Sequence, residues 1–384
     1  MKKPKRVFLR ADLNVPLVNG TIVDDYRLQM IKPTLDMLLE HNAHIILATH
    51  IGRPEGKQVP ALSTKHLIPW FEQEGYTVSF APTLEDAQKK STKPTITLLE
   101  NLRFYPGEQT ENPEERAQFA HALRALADYY VNDAFGVLHR NDTSITDLAL
   151  LFDEDHRSTG LLIEHECATL EALFEDPEDP FLLILGGGKP ATKLPLLEAL
   201  FDVVDVIALC PAVVFTLLAA QEKPVGLSLV EQEYAGWARE FLNAAHDAGK
   251  KILWPTDYVV AHKTLNGPLS TVSAEQFPVD GIGLSLGPNS VQALVQEILR
   301  ARTVVMNGLP GIEQRPETIE PLRPVFAALA QTTAYTIIGG GQTTAAAQRF
   351  GVRQDIDHVS TGGGSLLAFL SGEEMPGLAP FTHE

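Results

Sequence analysis

Cysteine is almost absent from this sequence of 384 residues, which contains only Cys167 and Cys210. Two isolated cysteines in apolar surroundings provide neither a disulfide framework nor the spacing of a metal site, so a reducing compartment is expected. Positive charge is scarce as well, because 31 basic residues face 49 acidic ones and the net charge is −18. This balance disfavours nucleic acid and anionic membranes as partners.

A long uninterrupted apolar segment is also missing. The N-terminal stretch MKKPKRVFLRADLN lacks the apolar core of a secretory signal. The most apolar region, residues 203–220, is interrupted by Asp205, Pro211 and Thr216, which a membrane span would not carry near its middle. We interpret this region as a buried strand, a turn at Cys210-Pro211 and a helix. The sequence therefore predicts a cytoplasmic protein.

What the chain does contain is a regular alternation of β-branched runs and helical patterns. Its length favours two domains, and 44% hydrophobic with 21% charged residues is typical of a globular protein. The predicted strands are RVFLR, HIILATH, TITLLEN and YYVNDAF in the first half, and FLLILGGG, DVIALC, KILWPT, TVVMNG and YTIIGGG in the second. Each strand of the second half is expected to be followed by a helix. The alternation predicts two doubly wound parallel-sheet α/β domains of Rossmann-like type.

A helix that ends in an acidic, proline-containing stretch separates the halves, with the boundary near Asp176 to Pro180. We place the first domain at residues 1–156 and the interdomain helix with its linker at 157–178. The second domain follows at 179–365. A C-terminal segment at 366–384 is a candidate for returning to the first domain.

The two halves differ in the residues that follow their strands, where open parallel sheets bind ligands. In the first half these are mainly polar and cationic, with Arg27 able to join them: Asp12, Asn14, His50, Arg53, Arg103, His139 and Arg140. In the second half they are glycines at 186–188, 308, 339–341 and 362–364. Arginine matches phosphate and carboxylate oxygens, and glycine turns before helices present N–H groups to phosphates. The pattern predicts a small anionic substrate in the first half and a nucleotide in the second.

Each of these features is weak alone, since tight strand-to-helix turns favour glycine and single arginines commonly lie at the surface. None of the glycine turns has the GxGxxG spacing, and GGGKPATK is not a Walker A loop. A dinucleotide-dependent dehydrogenase and a P-loop enzyme are therefore disfavoured.

Ordered motifs along the whole chain resemble those of the phosphoglycerate kinases. In the first half they are RADLNVPLVNGTIVDDYR, THIGRP, LLENLRFYPGE and VNDAFGVLHR, and in the second LGGGKPATKLPLL, MNGLPGIE, IIGGGQTTAAAQRFG and HVSTGGGSLLAFL. The resemblance spans residues 6 to 377. It implies a two-lobed, hinge-bending glycolytic kinase that moves a phosphoryl group between 1,3-bisphosphoglycerate and MgADP, giving 3-phosphoglycerate and ATP. We expect a monomer, because two lobes must hinge.

The resemblance also implies roles for individual residues. It implies that 3-phosphoglycerate is bound by Asp12, Asn14, Arg27, His50, Arg53, Arg103 and Arg140. It implies that the migrating phosphoryl group is met by Arg27, Lys189, Lys193, Gly341 and Gly364. It implies that the nucleotide is bound by Gly187, Lys193, Asn307, Gln314, Gly340, Gly341, Gln342 and Thr343. Magnesium would arrive with ATP or ADP, and Gln342 is the candidate protein ligand for it.

Four departures from the family pattern lie in the second half. Gln342 stands where the family usually has a magnesium-binding aspartate, and Gln314 stands where a glutamate usually bonds the ribose. Cys210-Pro211-Ala212 replaces a triple-glycine turn, and NGLPGIE moves a proline by one position. Three hypotheses follow: an active kinase with tolerated variation, a kinase with altered nucleotide or metal preference, and a degenerate paralogue that binds phosphoglycerate without efficient turnover. The joint presence of Arg27, Lys189 and Lys193 favours the first.

Overall fold

The computed structural model describes residues 5–88, 95–175, 177–188 and 190–382. The chain divides into two compact units. Unit 1 comprises residues 1–168 and 374–384, and unit 2 comprises residues 169–373. Asp176, at the predicted domain boundary, lies outside the described residues. No helix among the described residues is long and apolar enough to cross a membrane.

Unit 1 is built on a parallel sheet. Its described strands are β1 (Arg6–Ala11), β2 (Leu17–Val18), β3 (Thr21–Ile22), β4 (His44–Ala48), β5 (Val78–Ala81), β6 (Ile96–Leu99), β7 (Tyr129–Asp133) and β8 (Arg157–Thr159). Its helices are α1 (Tyr26–Glu40), α2 (Ile68–Gln73), α3 (Leu84–Ala87), α4 (Pro113–Arg124), α5 (Asp147–Leu150) and α6 (Leu161–Glu175), the last of which contains the division between the units.

Six of these strands form the sheet in the order β5-β6-β4-β1-β7-β8, and all its pairs are parallel. Alternate residues of the central strand face opposite layers, as the two-residue period of a strand requires. Val7 and Leu9 belong to the apolar cluster that includes Leu28 and Ile31 of α1, whereas Phe8 packs in the cluster on the other side. Both faces of the sheet are therefore buried, which explains the continuous apolar runs in the sequence.

The chain segment after unit 2 packs on unit 1. The amide N–H of Gly377 donates to the carbonyl of Leu138 at 2.9 Å, and Asn132 Nδ2 donates to the carbonyl of Gly377 at 3.3 Å. The ring of Phe381 stacks on that of Tyr130 with 6.3 Å between centroids. Unit 1 is thus assembled from two stretches that are far apart in the sequence.

Unit 2 contains a second parallel sheet. Its strands are β9 (Phe181–Gly187), β10 (Val206–Ala212), β11 (Lys251–Leu253), β12 (Asp257–His262), β13 (Leu269–Ser273), β14 (Gly281–Leu286), β15 (Thr303–Asn307), β16 (Tyr335–Gly339) and β17 (His358–Val359). Its helices are α7 (Leu194–Ala199), α8 (Val213–Ala220), α9 (Ala235–Asp247), α10 (Pro288–Arg300), α11 (Arg323–Gln331), α12 (Gly341–Arg349) and α13 (Gly363–Leu370).

The parallel sheet of unit 2 has the order β11-β10-β9-β15-β16-β17. The first three strands in chain order extend the sheet in one direction from β9, and the last three extend it in the other direction from β15. Unit 1 has the same arrangement around β1 and β7. The predicted fold class of two doubly wound parallel-sheet domains is confirmed.

Two local predictions were wrong. The segment KILWPT, which contains β11, is followed by the strand β12 and not by a helix. The strand β12 pairs with β13 and β14 in a separate antiparallel sheet of order β13-β12-β14. The expected turn at Cys210-Pro211 is instead the end of β10, which continues to Ala212 with a shift of register after Leu209. The irregular pairing accommodates Pro211, which has no N–H to donate.

Candidate active site

The polar residues of unit 1 gather where the strand order of the sheet reverses. The strands β1 and β7 are neighbours, but the chain proceeds from β1 toward β4 on one side and from β7 toward β8 on the other. Such a reversal leaves a crevice beyond the carboxyl ends of the two strands, where ligands bind in this kind of sheet. Asp12 follows β1, His50 follows β4, Arg103 follows β6 and Arg140 follows β7, while Arg27 lies in the first turn of α1.

The Arg27 side chain is oriented by Asp12 and Asn14. Arg27 Nη1 donates to the backbone carbonyl of Asn14 at 2.8 Å and lies 3.5 Å from Asp12 Oδ2. The side-chain oxygen of Asn14 accepts the N–H of Gly52 at 2.9 Å, which ties the segment after β1 to the segment after β4. The Arg27 side chain remains 27% exposed. Its guanidinium is therefore held in place and still accessible to a ligand.

His50 is a buried histidine surrounded by arginines. Its Nε2 lies 3.9 Å from Asp12 Oδ1, and its Nδ1 lies 3.4 Å from Arg10 Nη2. Burial lowers the pKa of His50 well below its ordinary value, and the positive charges of nearby arginines, Arg10 first, lower it further. The imidazole is consequently neutral at physiological pH. The same concentration of positive charge favours an anion.

Arg103 is also buried and is braced from two sides. Its Nη1 donates to the carbonyl of Gly52 at 3.0 Å, and its Nη2 donates to Asp142 Oδ2 at 3.1 Å. Burial lowers the pKa of Arg103, and its Nε is buried without a hydrogen-bond partner among the described residues. Its carboxylate partner leaves part of the guanidinium unsatisfied.

The remaining two arginines of the predicted set are less engaged. Arg53 is exposed and Arg140 is half-buried, and neither forms an ion pair within the part of the chain that the structure describes. Arg140 is near enough to His50 for its charge to lower the pKa of that residue. Unit 1 thus connects Asp12, Asn14, Arg27, His50 and Arg103 by direct contacts or through Gly52, with Arg140 nearby, and leaves Arg53 outside this network.

Sequence reasoning missed a layer of charged residues beneath this network. Arg10 is fully buried and lies 3.8 Å from Glu108 Oε1, which is also fully buried. Glu108 accepts hydrogen bonds from the backbone N–H of Ser144 at 3.0 Å and from its hydroxyl at 2.7 Å. Burial raises the pKa of Glu108 to about 7. The sequence feature that could have revealed this layer is Arg10, near the end of an otherwise apolar strand. A charged residue there must have a partner when both faces of the sheet are covered.

In unit 2 the corresponding reversal lies between β9 and β15, and glycine permits the backbones to meet there. Gly308 has φ +85°, and a Cβ at this position would lie 2.0 Å from the carbonyl oxygen of Gly186. Gly187, at the end of β9, also has a positive φ of 83°. The glycines of this region are therefore required by close backbone approach as well as by any ligand.

Two helix N-termini meet beside these strand ends. The N-cap residue of α12 is Gly340, and that of α13 is Gly362, so neither helix has a side-chain cap. A Cβ on Gly363 would lie 2.9 Å from Gly340 Cα, which shows how closely the two turns approach. Uncapped N-termini leave N–H groups without intrahelical partners and carry the positive end of the helix dipole. This pair of turns is suited to an anion such as phosphate.

Three buried polar side chains surround the same turns. Lys193 is 7% exposed and donates from Nζ to Asn307 Oδ1, and burial lowers the pKa of the lysine to about 8. Asn307 Nδ2 and Thr343 Oγ1 are buried without hydrogen-bond partners among the described residues. A Cβ on Gly340 would lie 3.8 Å from Thr343 Oγ1 and 4.0 Å from Asn307 Oδ1. Three polar groups therefore converge on a small space, and two of them, Asn307 Nδ2 and Thr343 Oγ1, have no hydrogen-bond partner there among the described residues.

The other predicted residues of unit 2 are not part of this buried side-chain cluster. Gln342, Gly341 and Gly364 are exposed in the first turns of α12 and α13. Gln314 is exposed in the segment after β15, where Ile312 and Arg315 form an isolated bridge, and no contact joins its side chain to the cluster within the described residues. Lys189 lies outside the described residues.

Comparison with known proteins identifies the family. The family model described as "Phosphoglycerate kinase" matches residues 2–373. The chain belongs to the phosphoglycerate kinase family. A relative named phosphoglycerate kinase from Bifidobacterium longum is 38% identical over 391 residues, covering 98% of this chain and 96% of the relative. The namesake from Streptomyces avermitilis is 36% identical with the same coverage.

Solved structures agree with this assignment. The phosphoglycerate kinase of Coxiella burnetii has a TM-score of 0.81 at 30% identity, covering 99% of this chain and 96% of that one. The phosphoglycerate kinase of Pyrococcus horikoshii has a TM-score of 0.83 at 27% identity, covering 98% and 96%. The protein is accordingly a glycolytic phosphotransferase with a carboxyl group as acceptor. Nothing in these comparisons supports the alternative of a degenerate, non-catalytic relative.

Proposed function

We propose that the chain catalyses the reversible reaction of 1,3-bisphosphoglycerate and ADP to 3-phosphoglycerate and ATP, in the cytoplasm. The observation that carries this proposal in detail is the cluster of Lys193, Asn307 and Thr343. These buried polar groups converge on two uncapped helix N-termini, and within the part of the chain that the structure describes Asn307 Nδ2 and Thr343 Oγ1 have no hydrogen-bond partner. A nucleotide phosphate has the charge and the oxygen atoms that this cluster lacks.

Unit 1 would bind 3-phosphoglycerate at the arginine network. Arg27 is positioned by Asp12 and Asn14 and remains accessible, so we assign it the phosphoryl group as well as the substrate. Arg103 and Arg140 add positive charge around the buried, neutral His50. Arg53 is exposed and has no ion-pair partner in the described part of the chain, so a phosphate can bind it without breaking an existing ion pair.

Unit 2 would bind the nucleotide phosphates at α12 and α13. Lys193, Asn307 and Thr343 would donate to phosphate oxygens, together with the N–H groups of Gly340, Gly341 and Gly364. Gly187 permits the phosphates to approach the backbone. We retain Lys189 and Gln314 as proposed contacts to the phosphoryl group and the ribose.

The donor set fits a magnesium ion that arrives bound to the nucleotide. Among the described residues no group of three or more acidic, histidine or cysteine side chains is arranged for a metal, and Gln342 at the start of α12 offers only a neutral amide oxygen. Magnesium commonly keeps several waters and binds through phosphates with few protein ligands. When bound, it would neutralise charge on the phosphate oxygens. Gln342 would hold it weakly.

The chemistry asks the protein for positioning and charge rather than for a general base. The acceptor carboxylate of 3-phosphoglycerate is already ionised near neutral pH. The transition state spreads negative charge over the transferred oxygens, which buried cations and N–H groups stabilise strongly. We assign this positive charge to Arg27 and Lys193.

The test is the rate of 3-phosphoglycerate phosphorylation by MgATP, followed by coupled NADH consumption over a wide range of magnesium concentration. We expect turnover on the order of 1–100 per second or faster. Lys193→Met should lower kcat by about 10²- to 10³-fold, as does the loss of one oxyanion donor. The matched control is Lys251→Met, which removes an exposed lysine of the same unit that pairs with Glu297 and should leave the rate unchanged.

Two results would contradict the proposal. One is the absence of turnover at saturating magnesium while 3-phosphoglycerate still binds, which would make the protein a binding protein. The other is an equal rate in Lys193→Met and Lys251→Met, which would remove Lys193 from the site.

A further inference from the structure

The hydrogen bonding of His50 defines which of its nitrogens carries the proton. Arg10 Nη2 lies 3.4 Å from His50 Nδ1. Arginine has five N–H donors and no acceptor, so a hydrogen bond between these atoms requires Nδ1 to accept. A neutral imidazole that accepts at Nδ1 has its proton on Nε2. The Nε2 atom is on the side of Asp12, 3.9 Å from Oδ1, which is beyond a hydrogen bond.

The guanidinium of Arg10 is fixed on its other edges. Its Nε donates to Ser144 Oγ at 2.8 Å, and its Nη1 donates to the carbonyl of Ala11 at 2.6 Å. Glu108 balances the charge from 3.8 Å and holds Ser144 with both carboxyl oxygens. Arg10, Glu108 and Ser144 are all fully buried. The donor that faces His50 therefore has no room to turn away.

The remaining charged groups around His50 form no hydrogen bond with its ring nitrogens among the described residues, and the arginines in this set keep the ring neutral. These groups are Asp12 after β1, Arg27 of α1, Arg103 after β6 and Arg140 after β7, in addition to Arg10 of β1. The arginines oppose protonation of the ring through their charge alone. Only Arg10 forms a hydrogen bond with a ring nitrogen that is recorded among the described residues.

We propose that Arg10 is a positioning residue that fixes His50 as the neutral tautomer with its proton on Nε2, so that the substrate site receives a hydrogen-bond donor there. This proposal rests on the proposed function, which assigns the site to 3-phosphoglycerate. A neutral donor favours an ionised carboxylate or phosphate oxygen over a hydroxyl or an amide N–H. The wrong tautomer would present a lone pair to the anion and repel it.

The tautomer is measured without substrate, which separates this proposal from the function. Long-range ¹H–¹⁵N spectra of the ligand-free, ¹⁵N-labelled full chain distinguish a protonated from an unprotonated ring nitrogen, and His50→Gln assigns the signals. We expect an unprotonated Nδ1 and a protonated Nε2 from pH 6 to 8. A protonated Nδ1 in the unaltered chain overturns the proposal, whatever the enzyme's activity.

Removing the positioning residue provides the second measurement. Arg10→Met combined with Glu108→Gln removes both buried charges together, so that neither is left unpaired. We expect mixed tautomers of His50 and a KM for 3-phosphoglycerate raised roughly tenfold, the effect of losing one hydrogen bond to a charged group, with kcat changed much less. The matched control replaces another ion pair of unit 1, Lys32→Met with Glu74→Gln, and should alter neither quantity.

A smaller change covers the case in which the double variant does not fold. Ser144→Ala removes only the partner of Arg10 Nε and should broaden the tautomer distribution while KM rises less than in the double variant. A folded double variant, or failing that a folded Ser144→Ala variant, whose His50 keeps the unaltered tautomer overturns the proposal. Mixed tautomers together with a raised KM support it.

Discussion

The burial of Lys193 leads to a quantitative prediction, because the partner of this cation among the described residues is the side-chain amide of Asn307. Burial lowers its pKa to about 8, and no carboxylate lies within ion-pair distance of it among the described residues. Holding the pKa near 8 instead of its ordinary value near 10.4 corresponds to about 3 kcal/mol against the charged form. A phosphate beside Nζ restores that stabilisation, so the pKa should return toward its ordinary value when the nucleotide binds.

The expected result is proton uptake on nucleotide binding. At pH 8 about half of the Lys193 side chains are neutral before binding and nearly all are charged afterwards, so uptake is about 0.5 proton per nucleotide. It should be about 0.1 at pH 7 and about 0.9 at pH 9. Isothermal titration calorimetry in two buffers of different ionisation enthalpy measures this number directly. Lys193→Met provides the baseline, because the nucleotide's own proton changes remain in it.

Lys193 should make the ligand-free protein less stable than the Lys193→Met variant. Since the folded pKa lies below the unfolded one, the unfolded state binds more protons between pH 8 and about 10.4, and stability rises with pH across that window. Lys193→Met should therefore be more stable by about 3 kcal/mol at pH 7, with the gap closing by pH 10. Equal proton uptake by both proteins at pH 8, or a stability difference that does not vary with pH, would refute the reasoning.

Three further changes have defined outcomes. Gln342→Asp should lower the magnesium concentration needed for half-maximal rate, because a carboxylate adds charge to the metal site; an unchanged magnesium dependence would contradict the role of Gln342. Gly308→Ala should abolish nucleotide binding measured by calorimetry, because its Cβ would lie 2.0 Å from Gly186 O, and normal binding would show that the strand ends can separate. Asp133 has its pKa raised to about 6 by burial, so the native state holds a proton that the unfolded state has lost between about pH 4 and 6. The unfolding free energy should fall by about 3 kcal/mol as the pH rises from 4 to 6. In Asp133→Asn, unfolding free energies measured by urea titration should lack this dependence on pH.

The strands of both parallel sheets could be predicted because their residues are buried on both faces. Runs such as HIILA and FLLILGG are almost entirely apolar and are buried along their whole length, and this pattern indicates strands of a covered parallel sheet when helices alternate with it. The antiparallel sheet at β12 to β14 escaped prediction because β12 is also fully apolar in its centre, while β13 is short and half-exposed. Nothing local distinguishes a strand that joins the main sheet from one that pairs with its own neighbours.

The sequence predicted which side chains lie near the sheet edge of unit 1, but not the buried charged residues beneath them. His50, Arg103 and Arg140 lie in segments that follow strands of one parallel sheet, so their position at one sheet edge follows from the topology, and Arg27 joins them from α1. Arg10 and Glu108 are far apart in sequence and lie on elements that each look ordinary, so their contact exists only after the sheet is assembled. Lys193 had a predicted role, but its depressed pKa depends on burial, which spacing does not reveal.

The return of residues 374–382 to unit 1 has a consequence for biosynthesis. A ribosome makes these residues only after the whole of unit 2, so the first 168 residues emerge without the segment that covers Tyr130 and binds the backbone of Leu138. Leu138 immediately precedes His139 and Arg140 in the chain. The nascent first half can therefore form most of its sheet during translation, but the loop that carries Arg140 acquires its final support only when that last segment docks.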